Sequence, residues 1–296
     1  MHHRNRDPQI PGQVVILGAS GFLGSNLARQ LLNSGCRVHG LSSKDLDLRE
    51  RSSAAVLRER LHAAVLVVAS TLTPDRGKDI ATFMTNLHMM ETVCEGLSGV
   101  DLKQVVYLSS DAVYGEVSSP IQETSCTTSD SLFGIMHLAR EAMLAQALRR
   151  DIPLLVLRPC TVYGVGDTHN GYGPNRFVRS ALADGTIALF GAGEELRDHI
   201  HVTDVARLTE LGILHCSEGT LNLCTGRAIT FSQLADMIER LVGQPIRIHQ
   251  QPRPGRVTHR HFDNIRLIRA YPEYQLIPIE AGLREMISRL RSSTHG

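Results

Sequence analysis

Three glycines recur every third residue in Val14-Val15-Ile16-Leu17-Gly18-Ala19-Ser20-Gly21-Phe22-Leu23-Gly24. The four apolar residues before Gly18 read as a buried strand. A helical pattern follows from Phe22 through Leu23, Leu27, Leu31 and Leu32 to Gly35. A strand, a tight glycine turn and a helix start together aim free backbone N–H groups at a phosphate. The chemistry predicted is the cradling of a dinucleotide pyrophosphate by Gly18, Ser20, Gly21, Phe22, Leu23 and Gly24. An ordinary strand-to-helix loop can carry the same glycines. The placement between a clear strand and an amphipathic helix, at the start of a βαβ pattern, favours the cradle.

Other residue types that could do chemistry are weaker as constellations. His199-x-His201 and His259-x-His261 each put two imidazoles on one face of a strand, as a metal site requires. No cysteine or carboxylate cluster joins them, and no metal is expected. The six cysteines, Cys36, Cys94, Cys126, Cys160, Cys216 and Cys224, form no Cys-x-x-Cys pair. Scattered free thiols in an intracellular protein are the simplest reading, with Cys126 in a polar loop.

The elements that must position the cradle alternate between strand and helix. Arg37 to Leu41 reads as a strand, Ser52 to Leu61 as a helix, and Ala64 to Ala69 as a continuous apolar strand covered on both faces. Lys78 to Leu97 is a long helix, Gln104 to Ser109 a strand, Ser131 to Arg150 a helix and Pro153 to Arg158 a strand. Repeated β-then-α units predict an α/β fold: a Rossmann-type doubly wound parallel sheet, its crossovers right-handed. After Gly164 the pattern loosens. Helices are expected near Asn175 to Ala183, Thr203 to His215, Phe231 to Val242 (capped by Thr230), Asp263 to Ala270 and Ile279 to Leu290. Short strands are expected at Ile187 to Phe190, Leu196 to Val202 and Thr220 to Cys224. The organisation predicted is a disordered leader over 1–10, a dinucleotide-binding domain over 11–172 with a return segment near 200–225, and a smaller C-terminal α+β substrate lobe over 173–296.

Composition bounds the partners. The chain has 296 residues, a formal net charge of +1, 42% hydrophobic and 21% charged residues, and no Trp. Such a balance offers no global field to attract nucleic acid or acidic membranes, and no base-stacking surface. No run reaches the length of a transmembrane helix, and the start lacks a signal-peptide apolar stretch. A cytoplasmic protein without nucleic-acid or membrane partners is expected.

Several stretches together resemble the extended short-chain dehydrogenase/reductase group of nucleotide-sugar epimerases, dehydratases and reductases. They are Gly18 to Gly24; Asp45-Leu46-Asp47-Leu48; Asn86; Tyr107-Leu108-Ser109-Ser110-Asp111-Ala112-Val113-Tyr114-Gly115; Arg158-Pro159-Cys160-Thr161-Val162-Tyr163-Gly164; and Leu189-Phe190-Gly191-Ala192-Gly193 leading into Arg197-Asp198-His199-Ile200-His201-Val202-Thr203-Asp204. The resemblance covers nearly the whole chain after the leader. It implies an NAD(P) cofactor, a nucleotide-sugar substrate, and a homodimer formed through the helices at Lys78 to Leu97 and Ser131 to Arg150.

For the cofactor, members that prefer NAD carry an acidic residue at the end of the second strand, bonding the adenosine ribose. Here that place reads Leu41-Ser42-Ser43-Lys44. The hydroxyl of Ser42 and the cation of Lys44 suit a 2′-phosphate, which leans the reading to NADP, although a solvated polar loop has the same composition. Asp47 and Leu48 match the adenine-contacting position. Asp45 or Asp47 could instead stiffen a turn. The resemblance adds Ala69, Asn86 and Pro159 to the cofactor-lining set.

For the chemistry, the family uses a Tyr-x-x-x-Lys pair on the helix that starts here near Ser131. Pro120, Glu123, Gly134 and Glu141 fix the register, and the pair reads Phe133 and His137. Phe133 has no proton to move. His137 could bond the nicotinamide ribose or act near neutral pH, or both residues could simply be structural. Ser110 matches the residue that bonds the reacting hydroxyl. Asp111 matches the first of the Asp-Glu acid–base pair of the 4,6-dehydratase branch, with Ala112 in the second place. The candidate catalytic set is therefore Ser110, Asp111 and His137, although an Asp at a strand end also commonly bonds backbone amides.

For the substrate, Asn175 and Arg197 match positions that hold the nucleotide diphosphate, and Arg253 matches another phosphate-contacting arginine. An arginine fork bonds phosphate oxygens in pairs. Arg256 stands where the family usually has a ribose-contacting Asp, and Thr161 where many members have Asn. Two further outcomes fit the same sequence: a non-catalytic NAD(P)-binding regulatory or sensor protein, and redox-neutral chemistry on the same scaffold.

Overall fold

The computed structural model describes residues 1–116, 120–253 and 255–293. Along the chain the elements are β1 (His2–His3), β2 (Val14–Leu17), α1 (Phe22–Asn33), β3 (Val38–Leu41), α2 (Ser53–Arg60), β4 (Val65–Val68), α3 (Ile80–Leu97), β5 (Gln104–Leu108), α4 (Leu132–Ala147), β6 (Leu154–Pro159), β7 (Thr161–Tyr163), α5 (Pro174–Asp184), β8 (Thr186–Phe190), β9 (Leu196–His201), α6 (Val202–Leu214), β10 (Ser217–Leu223), β11 (Ala228–Thr230), α7 (Phe231–Val242), β12 (Arg247–Gln251), α8 (Ile265–Ala270) and α9 (Ile279–Ser293). Among the described residues no helix is long and apolar enough to cross a membrane.

Contacts divide the chain into two units. The first comprises 1–117, 123–159 and 205–223; the second comprises 118–122, 160–204 and 224–296. The first division along the main run thus falls at Pro159, earlier than position 172.

The first unit is a seven-stranded sheet in the order β1-β10-β6-β5-β4-β2-β3. Its strands are parallel except β1, which pairs antiparallel with β10. The strand order reverses between β2 and β4, as in a doubly wound Rossmann-type sheet. Every residue of β2, β4 and β5 is buried. That explains the unbroken apolar runs: a parallel strand covered on both faces has no polar side to alternate with. The core joins Leu17, Leu66, Val105 and Tyr107 of the strands to Leu57 of α2, Met90 and Val93 of α3, and Leu144 of α4.

The expected disordered leader is replaced by an edge contact. His2 and His3 pair with Glu218 and Ser217, and Arg4 forms an ion pair with Glu218 at 2.7 Å. His3 and His215 rings stack at 4.9 Å, so polar residues without an apolar pattern are fixed by the sheet edge.

The second unit holds a three-stranded sheet, β11-β9-β7, and a parallel pair, β12-β8. Phe177, Val178 and Ala181 of α5, Leu234 and Ile238 of α7, and Leu283, Met286 and Ile287 of α9 build its core. Helix α7 begins with a capping box between Thr230 and Gln233.

Candidate functional site

The glycine turn is fixed by sterics. Gly18 has φ +84°, a left-handed value that favours glycine. A Cβ on Gly24 would lie 2.2 Å from the Gly18 carbonyl oxygen, and one on Gly18 would lie 2.8 Å from Ser70 N. Gly21 N donates to Gly18 O at 3.0 Å and caps α1 without a side-chain hydrogen bond. The first-turn N–H groups of α1 are thus not claimed by a capping side chain and suit an anion. Gly40, in the neighbouring strand, comes equally close, since a Cβ there would meet the Ala19 Cβ at 2.7 Å. The cradle fits the pyrophosphate of a dinucleotide.

At the end of β3, Ser42 N and Oγ donate to Asp45 Oδ2 at 2.9 and 2.6 Å, and Lys44 N donates to Ser42 Oγ at 3.2 Å. Asp45 therefore stiffens this turn, and these hydrogen bonds, chiefly from Ser42, hold its carboxyl below the usual range. The Asp47 carboxylate is bound by Arg49 at 2.6 Å, while its backbone oxygen accepts from Ser53 Oγ. Leu48 belongs to the core. Ala69 N continues the β2–β4 ladder to Leu17 O, and Pro159 is the buried last residue of β6.

Asn86 is expected against the cofactor, but its amide is committed to backbone. Its Oδ1 accepts from Leu72 N at 2.9 Å and its Nδ2 donates to Leu72 O at 3.1 Å and Thr82 O at 3.2 Å. It holds the segment after β4, a positioning role.

Beyond β5, Ser110 Oγ accepts from Ala112 N at 3.1 Å and starts a single 3₁₀ turn at Asp111–Val113. Asp111 is partly exposed there, with an oxygen 3.4 Å from Ser110 Oγ. Gly134 lets the start of α4 press on this turn: a Cβ there would lie 2.0 Å from Ala112 O. Phe133, one residue earlier, borders a cavity of about 460 Å³ lined also by Leu72, Lys78, Phe83, Asn86 and Met136.

His137 is buried with 2% exposure, and its Nδ1 lies 2.6 Å from the Tyr107 hydroxyl. Burial, then the charge of Arg140, pushes the imidazole well below its ordinary pKa. Burial likewise raises the Tyr107 phenol. With a protonated phenol and a neutral ring, the hydroxyl donates and Nδ1 accepts. The expected titration of His137 near neutral pH is corrected by this burial.

Sequence reasoning missed Arg140, which reads as a solvated helix charge. It is fully buried; Nη1 donates to Thr71 Oγ1 at 2.9 Å and Nη2 to Ser70 O at 2.8 Å, and the fork lies 5.4 Å from the Tyr107 ring centre. Among the described residues no carboxylate pairs with it. Only its helical spacing from His137, three residues on, hints at a shared inner face. Glu141 is also structural: it binds Arg158 at 2.6 Å and accepts from Ser109 Oγ at 2.6 Å.

In the second unit the expected phosphate ligands are drawn into local contacts. Asn175 Oδ1 accepts from Gly164 N at 3.0 Å and Nδ2 donates to Asp167 at 2.6 Å, which fixes the loop before α5 rather than presenting the amide. Arg197 Nη1 donates to Thr258 O and Leu196 O, and its fork lies 5.7 Å from the Phe231 ring centre. Arg253 binds Glu194, and its Nε stands 3.0 Å from Glu195 Oε1. Pro254, inside the expected Arg253 to Arg256 motif, lies outside the described residues. Arg197, Arg253 and Arg256 nevertheless line one cavity of about 410 Å³ with Tyr172, Phe190 and Phe231.

Among the described residues no group of three or more His, Cys, Asp or Glu is placed to hold a metal ion. His199 is buried with neither ring nitrogen hydrogen-bonded, while His201 meets the Tyr163 ring edge-on at 5.1 Å. His259 Nδ1 accepts from Leu196 N at 3.1 Å.

A family model described as the NAD dependent epimerase/dehydratase family matches residues 14–224. The UDP-glucose 4-epimerase of Lacticaseibacillus casei is 24% identical over 279 residues, covering 81% of this chain and 84% of that protein. The GDP-L-fucose synthase of Sinorhizobium fredii is 24% identical over 252 residues, covering 78% and 80%. Among solved structures, the UDP-glucose 4-epimerase of Thermus thermophilus in complex with NAD is similar with a TM-score of 0.84 at 22% identity, covering 95% of this chain and 99% of that one.

Proposed function

The chain belongs to the NAD dependent epimerase/dehydratase family, and from that membership we propose that it is an epimerase, dehydratase or reductase of a nucleotide sugar with a non-standard proton-transfer site. The observation that carries the reading is the glycine turn. Gly18 and Gly24 leave no space for a Cβ, and the helix start is capped by no side chain. A nicotinamide dinucleotide bound there supplies a hydride acceptor and donor.

The cofactor reading moves from NADP to NAD. The Ser42 hydroxyl is already given to the Asp45 carboxylate, and a carboxylate at that turn repels a 2′-phosphate. The Thermus relative is described in complex with NAD.

In this reading Asp111 takes and returns the proton of the reacting sugar hydroxyl, and Ser110 Oγ orients that hydroxyl. His137 acts as a positioning residue: it holds Tyr107 and the inner face of α4. Arg197 and Arg253 hold the diphosphate, Arg253 turning from Glu194 to do so, and Asn175 shapes the loop beside them. Assembly as a homodimer through α3 and α4 is part of the same proposal. Exposed Ile80 and Met84 on α3 and Leu132 and Ile135 on α4 support it.

A second reading, a non-catalytic dinucleotide-binding protein, is favoured by Phe133 and His137 standing where the family's Tyr and Lys are expected. Mass spectrometry of small molecules released from the purified protein, with added nucleotide sugars followed by NMR, separates the two. Bound NAD with conversion of a nucleotide sugar supports the enzyme; bound NAD with every sugar returned unchanged supports the sensor.

A further inference from the structure

The cavity of the second unit carries a buried acid, Glu195, of which only one oxygen is paired. Glu195 lines it and is 8% exposed. Its Oε1 stands 3.0 Å from Arg253 Nε, and its Oε2 has no hydrogen-bond donor. A buried carboxylate oxygen without a donor forfeits a charge-assisted hydrogen bond, among the stronger polar interactions available. The terminal torsion of a glutamate is soft, so the carboxylate can turn to meet a donor entering the cavity.

The walls define what would bring that donor. The Tyr172 ring lies 4.9 Å from Phe190 and 4.5 Å from Phe231, and Phe190 N donates to the Tyr172 hydroxyl at 2.9 Å, which fixes the ring. With the Phe231 face covered by Arg197, the half-buried rings of Tyr172 and Phe190 beside two arginines suit a flat ring joined to an anion. The acid then chooses among flat rings. Guanine presents two adjacent donors, N1–H and the N2 amino group, beside the acceptor O6. A carboxylate accepts both. Uracil and thymine place their single N3–H between two carbonyls, so a second carboxylate oxygen would face a lone pair. Cytosine and adenine set an unprotonated ring nitrogen beside their amino group, with the same conflict.

We propose that Glu195 reads the base of the substrate and that the base is guanine. The proposal rests on the nucleotide-sugar reading above and narrows it to guanosine-diphosphate sugars. Arg253, shared between Glu195 and the expected diphosphate, then links recognition of the base to that of the phosphates.

Calorimetric titration of the purified full chain with GDP, IDP, UDP and dTDP tests it. GDP is expected to bind at least tenfold tighter than UDP and dTDP. IDP, which lacks only the N2 amino group, is expected to lose about tenfold against GDP, the scale of one hydrogen bond to a charged group. Glu195→Gln should erase most of the preference for GDP over UDP. UDP or dTDP binding as tightly as GDP would overturn the proposal and leave the nucleotide-sugar reading standing. So would GDP and IDP of equal affinity, or a folded Glu195→Gln protein with unchanged preference. Binding of none of the four would remove the nucleotide-sugar reading itself. The comparison of GDP with IDP uses the wild-type chain, so it decides the matter even if the variant fails to fold.

Discussion

The Tyr107 hydroxyl and His137 Nδ1 lie 2.6 Å apart inside the first unit, with the Arg140 fork 5.4 Å from the same tyrosine ring. The His137 imidazole is thus engaged by a neutral hydrogen bond inside the unit. Phe133, one turn earlier, meets the His137 ring edge-on at 4.6 Å. The four side chains form one packed set on α4 and β5.

Phe133→Tyr is expected to be nearly neutral for folding, within about 0.5 kcal/mol, because Phe133 borders a cavity. His137→Lys is expected to cost about 3–5 kcal/mol, since it buries an uncompensated charge beside Arg140 and deprives Tyr107 of its acceptor. Urea titration of the two single variants checks the contrast. Equal stabilities would contradict the packing account.

Gly24→Ala is expected to abolish dinucleotide binding, because its Cβ would lie 2.2 Å from Gly18 O, a backbone atom that cannot move alone. Gly40→Ala tests the same cradle from outside: it would push on Ala19 and weaken NAD binding while keeping the fold. Fluorescence titration with NADH, alongside circular dichroism, reads both effects. Unchanged affinity in Gly40→Ala would show that the turn is slack.

Arg140→Met is expected to weaken NAD binding about tenfold, one lost charge-assisted hydrogen bond's worth. Arg140 holds Ser70 O and Thr71 Oγ1, and Ser70 is the residue against which Gly18 closes. The effect should appear in NAD affinity, not in nucleotide affinity. Loss of both equally would mean a general structural defect.

Stability is expected to fall on the acid side. Burial, with the charge of Arg197 second, holds His199 down to about 3, and His137 is also held well below its ordinary value. Each group binds a proton in the unfolded chain below pH ~6.5 but not in the folded one. The stability that each contributes is complete above the unfolded value and is lost as pH falls toward the folded one. The slope approaches about 1.4 kcal/mol per pH unit per histidine. His199→Phe removes one such slope and two unpaired nitrogens. It should raise stability by about 1 kcal/mol and flatten the melting-temperature profile between pH ~6 and pH ~4, read by differential scanning calorimetry. An unchanged profile would mean that His199 finds a partner in solution.

Much of this architecture is legible in the sequence, and the misses have physical causes. The runs at Val14 and Val65 announce themselves because strands buried on both faces are apolar throughout. Thr230 and Gln233 announce α7 because a capping box is local. Strand β12, Arg247–Gln251, is exposed along its whole length, so its residues carry no burial signal; only its parallel pairing with β8 creates it. Strand β1 is two histidines on an edge. In the site, the glycine turn is readable because its constraint is local. The engagement of Asn86 and Asn175 by nearby loops, and of Arg253 by Glu194, is not readable, because it depends on how loops without a regular period fold back on these side chains. Arg140 and Glu195 escape for the same reason: a charge in sequence reads as exposed until the fold buries it.

The most direct test of the account combines bound NAD, nucleotide-sugar turnover and one substitution. Purified wild-type protein and Asp111→Asn, each assayed for NAD content, are incubated with guanosine- and uridine-diphosphate sugars, and conversion is followed by NMR. The account predicts conversion by the wild type, a fall of about 10²–10⁴-fold in Asp111→Asn, and equal NAD content and melting temperature in the two proteins. Conversion at the wild-type rate by Asp111→Asn, or NAD bound by a wild-type protein that converts no nucleotide sugar, would contradict it.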